Sequence, residues 1–331
     1  MPIIEKEKLN PHLFDADVEQ EPIRKGFGKG LLVCGERNEK VVGLCADLTE
    51  STQMHLFRDK FPDRFVQIGV AEQNLATVAS GMASMGKIPF ITSYAMFSPG
   101  RNWEQIRTTI CYNDQPVKIV GSHAGVSVGP DGGTHQALED IAITRVIPRM
   151  MVLSPCDTIE AEKATLAAMD TSTPVYIRLG REKTPIITTK NTPFEVGKAQ
   201  VFFQSEGELE IGIIATGGLV YNAIQASKKL EDEGVKVKLL NLSTIKPIDR
   251  EAIISLAKET KAILTVEEHQ VVGGMGSAVA EVLSEEHPTL LKFLGVHDQF
   301  GHSGTPAELI EEFGMGIQGI YNSALELRER L

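Results

Sequence analysis

The sequence feature that most constrains the fold is a regular alternation of short apolar runs with longer amphipathic runs. Residues 41–45 form an apolar run typical of a strand that is buried on both faces of a parallel sheet. Further strands are predicted at about 65–68, 88–92, 117–121, 151–153, 174–178, 211–215, 236–241, 262–267 and 290–294. Helices are predicted at about 71–85, 101–112, 136–142, 157–168, 219–232, 250–258, 275–285, 306–313 and 317–330. Strands that alternate with helices build parallel sheets covered on both faces, so we predict an α/β protein with two doubly wound domains, each with a mainly parallel sheet flanked by helices.

A change of composition marks the predicted domain boundary. Residues 182–197 are rich in Thr, Pro and Lys, as linkers often are. We therefore predict a first domain over 21–190 and a second over 195–331. Residues 1–20 are polar and acidic and are predicted to form an N-terminal arm.

Composition argues against several classes of function. The formal net charge is −11 and no basic run is present, which argues against a nucleic-acid surface. Cys34, Cys45, Cys111 and Cys156 form no C-x-x-C pair and are predicted to be buried, reduced thiols. The N-terminus lacks the apolar core of a signal peptide, and no apolar run approaches the roughly 20 residues of a membrane helix. We therefore predict a cytoplasmic protein with neither a nucleic-acid nor a membrane partner.

The stretch 67–75, Gln-Ile-Gly-Val-Ala-Glu-Gln-Asn-Leu, places an acid at the start of a predicted helix. A β-rich run ends at Gly69, and small residues then allow the helix to pack closely. Glu72 lies in the first turn, where the helix dipole stabilises a negative charge. From these residues alone, Glu72 is either a helix-stabilising acid or a functional carboxylate.

A glycine-rich loop at 122–134 follows the predicted strand 117–121. Its glycines and proline let the backbone approach a ligand closely. His123 and His135 bracket the loop and Asp131 lies inside it, so we predict a functional role, since loops after parallel strands commonly carry sites. Zinc binding is the rival hypothesis, but the spacing is nonspecific and no third strong ligand lies nearby, so no metal ligand is predicted on this chain.

Two other glycine-rich segments are interpreted as structural. Residues 24–30, Arg-Lys-Gly-Phe-Gly-Lys-Gly, lack the Gly-Lys-Ser/Thr ending of a phosphate-binding P-loop and follow no predicted strand, so a helix is predicted there. Residues 273–276, Gly-Gly-Met-Gly, open a helix after a strand and could bind an anion, but we favour tight strand–helix packing.

The sequence Gly-Val-Ala-Glu-Gln-Asn around Glu72, followed by Ala-Ser-Gly-Met-Ala and by Tyr-Ala-Met-Phe at 94–97, resembles the pyrimidine-binding domain of transketolases. The resemblance runs from about Arg24 to the C-terminus and covers the second half of a full transketolase. It implies the thiamine-diphosphate pyrimidine-binding fold followed by the transketolase C-terminal domain. It also implies that Glu72 meets the aminopyrimidine ring of thiamine diphosphate, that Tyr94 and Phe97 pack on that ring, and that Asp47 is an acid near the cofactor.

The same resemblance implies a substrate channel. The loop resembles the Gly-x-x-Asp-Gly-x-Thr-His segment of transketolases. The residues implied to contact sugar hydroxyls or phosphate are Arg24, Ser51, His123, Asp131, His135 and Arg181. With Glu72, the two histidines make up the predicted catalytic set. Arginine suits a phosphate site because its planar donors bind phosphate oxygens in pairs. Arg178 is interpreted as a solvated arginine, with a place in the phosphate clamp as the alternative.

Two departures from the family pattern affect the predictions. The third polar or aromatic position of the 94–97 motif falls near Gly100 or Arg101, with an apparent insertion around Pro99, so the contact to the ring's exocyclic amine is not assigned. The Gly-Asp-Gly motif that binds the divalent metal and the diphosphate in this family is not in the sequence. The resemblance therefore implies a split enzyme, in which an N-terminal transketolase subunit binds the metal, Mg²⁺ or Ca²⁺, and shares the cofactor in an α2β2 assembly.

The predicted function is transfer of a two-carbon ketol unit from a ketose phosphate to an aldose phosphate, in pentose phosphate metabolism. The alternatives are a 1-deoxy-xylulose-5-phosphate synthase fragment, a 2-oxo-acid dehydrogenase β subunit, and a transketolase-like binding subunit without turnover. The segment Asp47-Leu-Thr-Glu-Ser51 favours transketolase over the first. The two histidines with phosphate-binding arginines argue against the second, which acts on unphosphorylated oxo acids.

Overall fold

A computed structural model describes residues 8–331, and residues 1–7 of the predicted arm lie outside the described residues. The strands are β1 (Gln20–Pro22), β2 (Val41–Cys45), β3 (Phe65–Gln67), β4 (Ile88–Tyr94), β5 (Lys118–Ser122), β6 (Met151–Leu153), β7 (Val175–Arg178), β8 (Lys183–Pro185), β9 (Gln200–Gln204), β10 (Ile211–Ala215), β11 (Val237–Asn241), β12 (Thr244–Lys246), β13 (Ala262–Gln270) and β14 (Leu290–Val296). The helices are α1 (Ile23–Arg37), α2 (His55–Lys60), α3 (Glu72–Ser84), α4 (Trp103–Gln105), α5 (Asp140–Arg145), α6 (Thr158–Met169), α7 (Val220–Asp232), α8 (Arg250–Glu259), α9 (Met275–Glu286), α10 (Pro306–Glu312) and α11 (Ile317–Arg328).

Two large sheets organise the chain, as the alternation of strands and helices predicts. The first has the order β12-β6-β7-β5-β4-β2-β3 and the second has the order β14-β13-β10-β11-β9. Every pairing in the two sheets is parallel except at two edges, where β12 and β9 run antiparallel to their neighbours. The fold class is therefore confirmed.

Strand β12 departs from the predicted separation of the domains. By sequence it belongs to the second domain, yet it pairs with β6 at the edge of the first sheet. The chain reaches that edge directly after β11, where Ser154 N donates to Ser243 O at 2.7 Å. The strand is only three residues long, too short for its pattern to identify it, so the sequence gives little sign of it.

Two predicted helices differ in the structure. The helix predicted at 136–142 begins only at Asp140, because Ala137 forms a β-bridge with Ala124 and accepts a hydrogen bond from Gly125 N at 2.9 Å. The helix predicted at 101–112 is α-helical over Trp103–Gln105 and π-helical over Ile106–Tyr112. Ser80 Oγ donates to Thr109 O at 2.6 Å, and a side chain that binds a helical carbonyl in this way favours such a distortion.

The glycines of α1 fit close helix packing. A Cβ at Gly26 would lie 1.8 Å from Thr158 O, and one at Gly30 would lie 2.8 Å from Thr165 Cβ, both on α6. The segment that resembles a phosphate loop is thus a helix, as predicted, and its glycines allow α6 to approach closely. A short strand, β1, precedes it and pairs with β8, although the sequence analysis expected none there.

The described part of the predicted arm lies against the core of the second sheet. Leu9 and Leu13 are buried in the same hydrophobic cluster as Phe202 and Ile213. Gln225 Nε2 donates to Leu13 O at 2.8 Å. Burial of these two leucines packs the first described residues against the C-terminal half of the chain.

The carboxyl ends of β2, β3, β4, β5 and β7 all open on one edge of the first sheet, because these strands are mutually parallel. Most site residues that the sequence predicts lie in the loops after these strands. Tyr94 is the last residue of β4, Glu72 is the first residue of α3, and Arg24 lies in the first turn of α1. Open α/β sheets bind ligands at this edge. The four cysteines are buried and free, as predicted.

Candidate functional site

Glu72 is a buried carboxylate at the start of α3, with 2 % of its surface exposed. Ser93 Oγ, near the end of β4, donates to its Oε1 at 3.2 Å. Arg101 Nη1 donates to its Oε2 at 3.0 Å, and Asn102 Nδ2 donates to its backbone carbonyl at 2.9 Å. A buried charge is costly unless it is paired and hydrogen-bonded, so this carboxylate is held in a specific setting rather than lying on a solvated helix turn.

Aromatic rings line the same edge. Tyr94 stacks on His123 with 3.9 Å between ring centroids, and Phe97 lies 6.4 Å from Tyr94. His135 meets Phe97 edge-on at 5.4 Å. The end of β4, the end of β5 and the far end of the glycine-rich loop therefore meet, although 41 residues separate Tyr94 from His135 in sequence.

Arg24, His123, His135 and Arg181 form what we call the His–Arg cluster. Burial, together with the neighbouring Arg24, Arg181 and His135, lowers the pKa of His123 to about 3. His123 is thus a neutral imidazole at physiological pH, and its Nδ1 lies 2.8 Å from Ser122 Oγ. A neutral histidine serves as a hydrogen-bonding group without adding charge.

The two arginines of the cluster are incompletely partnered. Arg24 donates to the carbonyl of Arg181, and its Nε is buried with no hydrogen-bond partner among residues 8–331. Burial lowers the pKa of Arg24, and the nearby charge of Arg181 lowers it as well, against the opposing effect of Glu182. Arg181 Nη1 donates to the backbone carbonyl of Val128, and it reaches the Asp131 carboxylate only at 3.8 Å. Two close guanidinium groups, one with an unused donor, suit a multivalent anion such as a phosphate group.

Contacts with the second half of the chain hold the glycine-rich loop in place. Gly125 and Gly132 have φ of +90° and +77°, values that side chains rarely adopt. A Cβ at Gly125 would lie 2.2 Å from the Glu268 carboxylate, and Ser127 N donates to that carboxylate at 2.6 Å. The loop therefore lies against β13, which positions both of its histidines.

Asp47 and Ser51 follow β2 at the same edge, but no hydrogen bond or ion pair joins either side chain to Glu72 or to the His–Arg cluster in residues 8–331. Asp47 is exposed with φ of +60°, and its N–H donates to Gln67 Oε1 at 2.8 Å. Ser51 is half-buried. Their predicted roles stay predictions.

Arg178 corrects an interpretation made from the sequence. It is buried rather than solvated: its Nε donates to Asp140 Oδ2 at 2.8 Å and its Nη2 donates to Glu268 O at 2.7 Å. Burial works against its charge, and the pKa of Arg178 is nevertheless raised, because Asp140 and Glu268 carry negative charge beside it. Arg178 joins the two halves of the chain, and its Nε and Nη2 are engaged inside the protein.

Sequence reasoning missed three residues that contact Glu72, namely Ser93, Arg101 and Asn102. Ser93 and the 101–102 pair follow a strand that the sequence does predict, so their position after β4 is a usable signal. Their contact with a helix that begins twenty or more residues earlier depends on tertiary structure alone.

The residues present fit thiamine diphosphate on its aminopyrimidine side. A buried carboxylate accepts hydrogen bonds from ring and amino nitrogens, and Tyr94 and Phe97 offer aromatic faces beside it. Within residues 8–331 no group of three His, Cys, Asp or Glu side chains could hold a metal ion. Nor does that part of the chain contain a helix both long and apolar enough to cross a membrane.

Comparison with protein families gives two matches that together cover most of the chain. Residues 20–186 match the model described as transketolase, pyrimidine binding domain, and residues 198–320 match the model described as transketolase, C-terminal domain.

Among curated relatives, a protein of Methanocaldococcus jannaschii named for the C-terminal section of a transketolase is 41% identical over 92% of this chain and 95% of its own length. A 6-deoxy-6-sulfo-D-fructose transketolase subunit of Clostridium sp. (strain MSTE9) is 37% identical over 96% of this chain and 98% of its own length. A solved structure of a split gene transketolase, an inactive beta4 tetramer, superposes with a TM-score of 0.86 at 41% identity, over 93% of this chain and 98% of that chain.

Proposed function

The chain belongs to the transketolase family, matching the C-terminal section of split transketolases, and we propose that it forms the aminopyrimidine side of a thiamine-diphosphate-dependent transketolase site. The proposed reaction moves a two-carbon ketol unit from a ketose phosphate to an aldose phosphate. The observation that carries the proposal is the meeting, at one sheet edge, of a buried carboxylate, a pair of stacked aromatic rings and two incompletely partnered arginines.

Glu72 is the proposed group that holds a proton at the pyrimidine ring. Its burial and the hydrogen bond from Ser93 fix the carboxylate in one orientation. Tyr94 and Phe97 are proposed to pack on the ring, and Asp47 to lie near it. When bound, thiamine diphosphate supplies the carbanion chemistry that the protein itself cannot perform.

The His–Arg cluster is the proposed substrate channel. Arg24 and Arg181 would bind the substrate phosphate together with Ser51, because an anion would satisfy the unused Arg24 donor and reduce the repulsion between the guanidinium groups. His123, His135 and Asp131 would contact sugar hydroxyls, with the neutral His123 as a hydrogen-bonding group. The relative named for 6-deoxy-6-sulfo-D-fructose acts on a sugar with a different tetrahedral anion, so the terminal anion of the substrate is the feature we expect this cluster to recognise.

The metal–diphosphate side is proposed to come from an N-terminal transketolase subunit. The sequence has no Gly-Asp-Gly motif, and the described residues hold no cluster of metal-ligating side chains. The split gene relative that was solved as an inactive beta4 tetramer supports a site whose parts come from different subunits. We propose that the N-terminal subunit binds Mg²⁺ or Ca²⁺ and that the assembly is α2β2. We also propose that the enzyme serves pentose phosphate metabolism in the cytoplasm.

Reconstitution tests this proposal. The chain would be assayed for ketol transfer alone and mixed with its N-terminal subunit, with thiamine diphosphate, Mg²⁺, a ketose phosphate and an aldose phosphate. We expect transfer only in the mixture. Pyruvate as donor is the control for the two rival thiamine-enzyme classes: turnover of pyruvate in place of the ketose phosphate would contradict a transketolase, and transfer by the chain alone would contradict the shared site.

A further inference from the structure

Arg101 covers the carboxylate on which the proposed function depends. Its Nη1 donates to Glu72 Oε2 at 3.0 Å, and its guanidinium carbon lies 5.0 Å from the centroid of the Phe97 ring. The Arg101 side chain is 50% exposed whereas that of Glu72 is 2% exposed. The arginine therefore lies between the buried carboxylate and solvent.

The contacts that Arg101 makes are those that an aminopyrimidine ring would require. A guanidinium group is planar, presents N–H donors at its edge and packs on aromatic faces. A protonated pyrimidine nitrogen offers a planar ring with an N–H donor at its edge. Ser93 already donates to Oε1, so Oε2 is the oxygen that an incoming donor would take.

We propose that Arg101 is a built-in substitute for the cofactor ring, which holds Glu72 before the cofactor binds and must leave when it does. This inference rests on the proposed function, because it takes Glu72 as the carboxylate that receives the ring. Arg101 is a positioning residue here, and its bond to Glu72 competes directly with cofactor binding.

The energetics allow such an exchange. A buried carboxylate left without a partner is destabilising, so the chain gains from the Arg101 bond. A half-exposed arginine is hydrated and screened, which makes its ion pair weak and easily exchanged. A cofactor must displace this bond, so its apparent affinity is the intrinsic affinity multiplied by the fraction of molecules in which the pair is open.

The surrounding structure allows the side chain to leave without rearranging the backbone. Asn102 is buried, and its Nδ2 donates to Glu72 O at 2.9 Å and to Ser98 Oγ at 3.1 Å. Arg101 N donates to Phe97 O at 3.0 Å. These bonds pin the chain on both sides of Arg101, so rotation of its side chain is the movement required.

The test measures the dissociation constant of thiamine diphosphate with Mg²⁺ by calorimetry, in the assembled complex of this chain with its N-terminal subunit. Arg101→Met keeps an apolar contact with Phe97 and removes the competing cation. We expect at least about 5-fold tighter binding, the lower end of ordinary coupling between two groups at one site. Arg101→Lys should also bind more tightly than the parent, by less, since an ammonium group pairs less well with a carboxylate. Arg107→Met is the matched control: Arg107 is exposed six residues further on, and the constant should not change.

Thermal unfolding of the chain alone gives the second readout. Arg101→Met should lower the melting temperature relative to Arg107→Met, because Glu72 loses its partner. Equal or weaker cofactor binding by Arg101→Met overturns the inference, and if that variant does not assemble, equal or weaker binding by Arg101→Lys overturns it. Failure of the parent complex itself to bind thiamine diphosphate would instead overturn the proposed function, and the inference with it.

Discussion

Two buried glutamates, Glu72 at the start of α3 and Glu267 beside the start of α9, have hydrogen-bond partners of opposite kinds. Glu267, on β13, accepts hydrogen bonds from Met275 N at 2.6 Å and Gly276 N at 2.8 Å, at the start of α9. Both partners are backbone groups that cannot leave without unfolding the helix. Glu72 is equally buried, but the partner of its outer oxygen is the half-exposed side chain of Arg101. A carboxylate whose partner can be exchanged is suited to a ligand, whereas one bound by backbone groups is suited to holding a fold.

Two arginines three residues apart show the same contrast. The Nε and Nη2 of Arg178 donate to Asp140 and to the Glu268 backbone inside the protein. Arg181 reaches its nearest carboxylate oxygens, on Glu182 and Asp131, only at 3.6 and 3.8 Å, and lies beside Arg24. Burial alone therefore does not identify a functional charged residue. The number of its hydrogen-bonding atoms that have no partner inside the protein is the better guide.

The largest expected effect separates the two glutamates. Glu72→Gln is nearly isosteric and removes the negative charge proposed to hold a proton at the pyrimidine ring. Ketol transfer in the assembled complex should fall by about 10²–10⁴-fold, the usual worth of a positioned proton-transfer group. Glu267→Gln is the matched control and should retain most of the transfer per folded molecule. A similar loss in both variants would remove the distinction between them.

The second effect separates the two arginines by stability. Arg178→Ala leaves Asp140 buried without its cation, and removal of one partner of a buried pair costs about 3–5 kcal/mol of unfolding free energy. Arg181→Ala should change that free energy by much less, because its ion pairs are long and partly exposed. Denaturant unfolding of both variants measures the difference. Equal destabilisation would mean that Arg181, like Arg178, has a structural role.

The third effect concerns substrate. Arg181→Ala removes a charge-assisted hydrogen bond to the proposed phosphate, worth about 1.5–3 kcal/mol, so KM for a phosphorylated donor should rise. An unphosphorylated donor such as hydroxypyruvate should be affected much less. Steady-state kinetics with both donors in the reconstituted complex gives the comparison. An equal loss on both would assign Arg181 to another role.

The smallest effect is a pH dependence of stability. Burial raises the pKa of Glu267 to about 7, against the opposing backbone hydrogen bonds, whereas the unfolded chain titrates near 4.5. Between these values the folded state binds more protons, so the contribution of Glu267 to stability falls as pH rises and levels off above about 7. The slope cannot exceed about 1.4 kcal/mol per pH unit for one group. Relative to the parent, Glu267→Gln should therefore gain stability from pH 5 to pH 7.

The difference between parent and variant is the quantity to measure, because other groups titrate in the same range. Burial raises the pKa of Glu160 to about 7, which acts in the same direction as Glu267. Burial lowers the pKa of His269 to about 4, which acts in the opposite direction, since stability is then lost as pH falls below the ordinary histidine value. A pH-independent difference between Glu267→Gln and the parent would mean that Glu267 is ionised throughout the range.

The run 273–276 shows what local sequence predicts and what it does not. The pattern predicts a helix start with tight packing, and the structure has α9 beginning at Met275. The group that lies against it is the protein's own Glu267: a Cβ at Gly274 would lie 2.3 Å from that carboxylate. A carboxyl group does meet this helix start, but it belongs to a residue eight positions earlier in the chain, a pairing that depends on how β13 ends.

The sequence by itself determined the alternation of strands and helices, the parallel sheets and the positions of the loops at their carboxyl ends. These follow from apolar periodicity and from the parallel arrangement, both local properties of the chain. It also determined the resemblance that named Glu72 and the His–Arg cluster. Only the tertiary structure decided that Arg178 is paired with a buried Asp140 while Arg24 retains an unused donor, that β12 joins the first sheet, and that Arg101 covers Glu72. The reason is that a charge takes its partners from strands and loops that are distant in sequence, and no local pattern records which of them it meets.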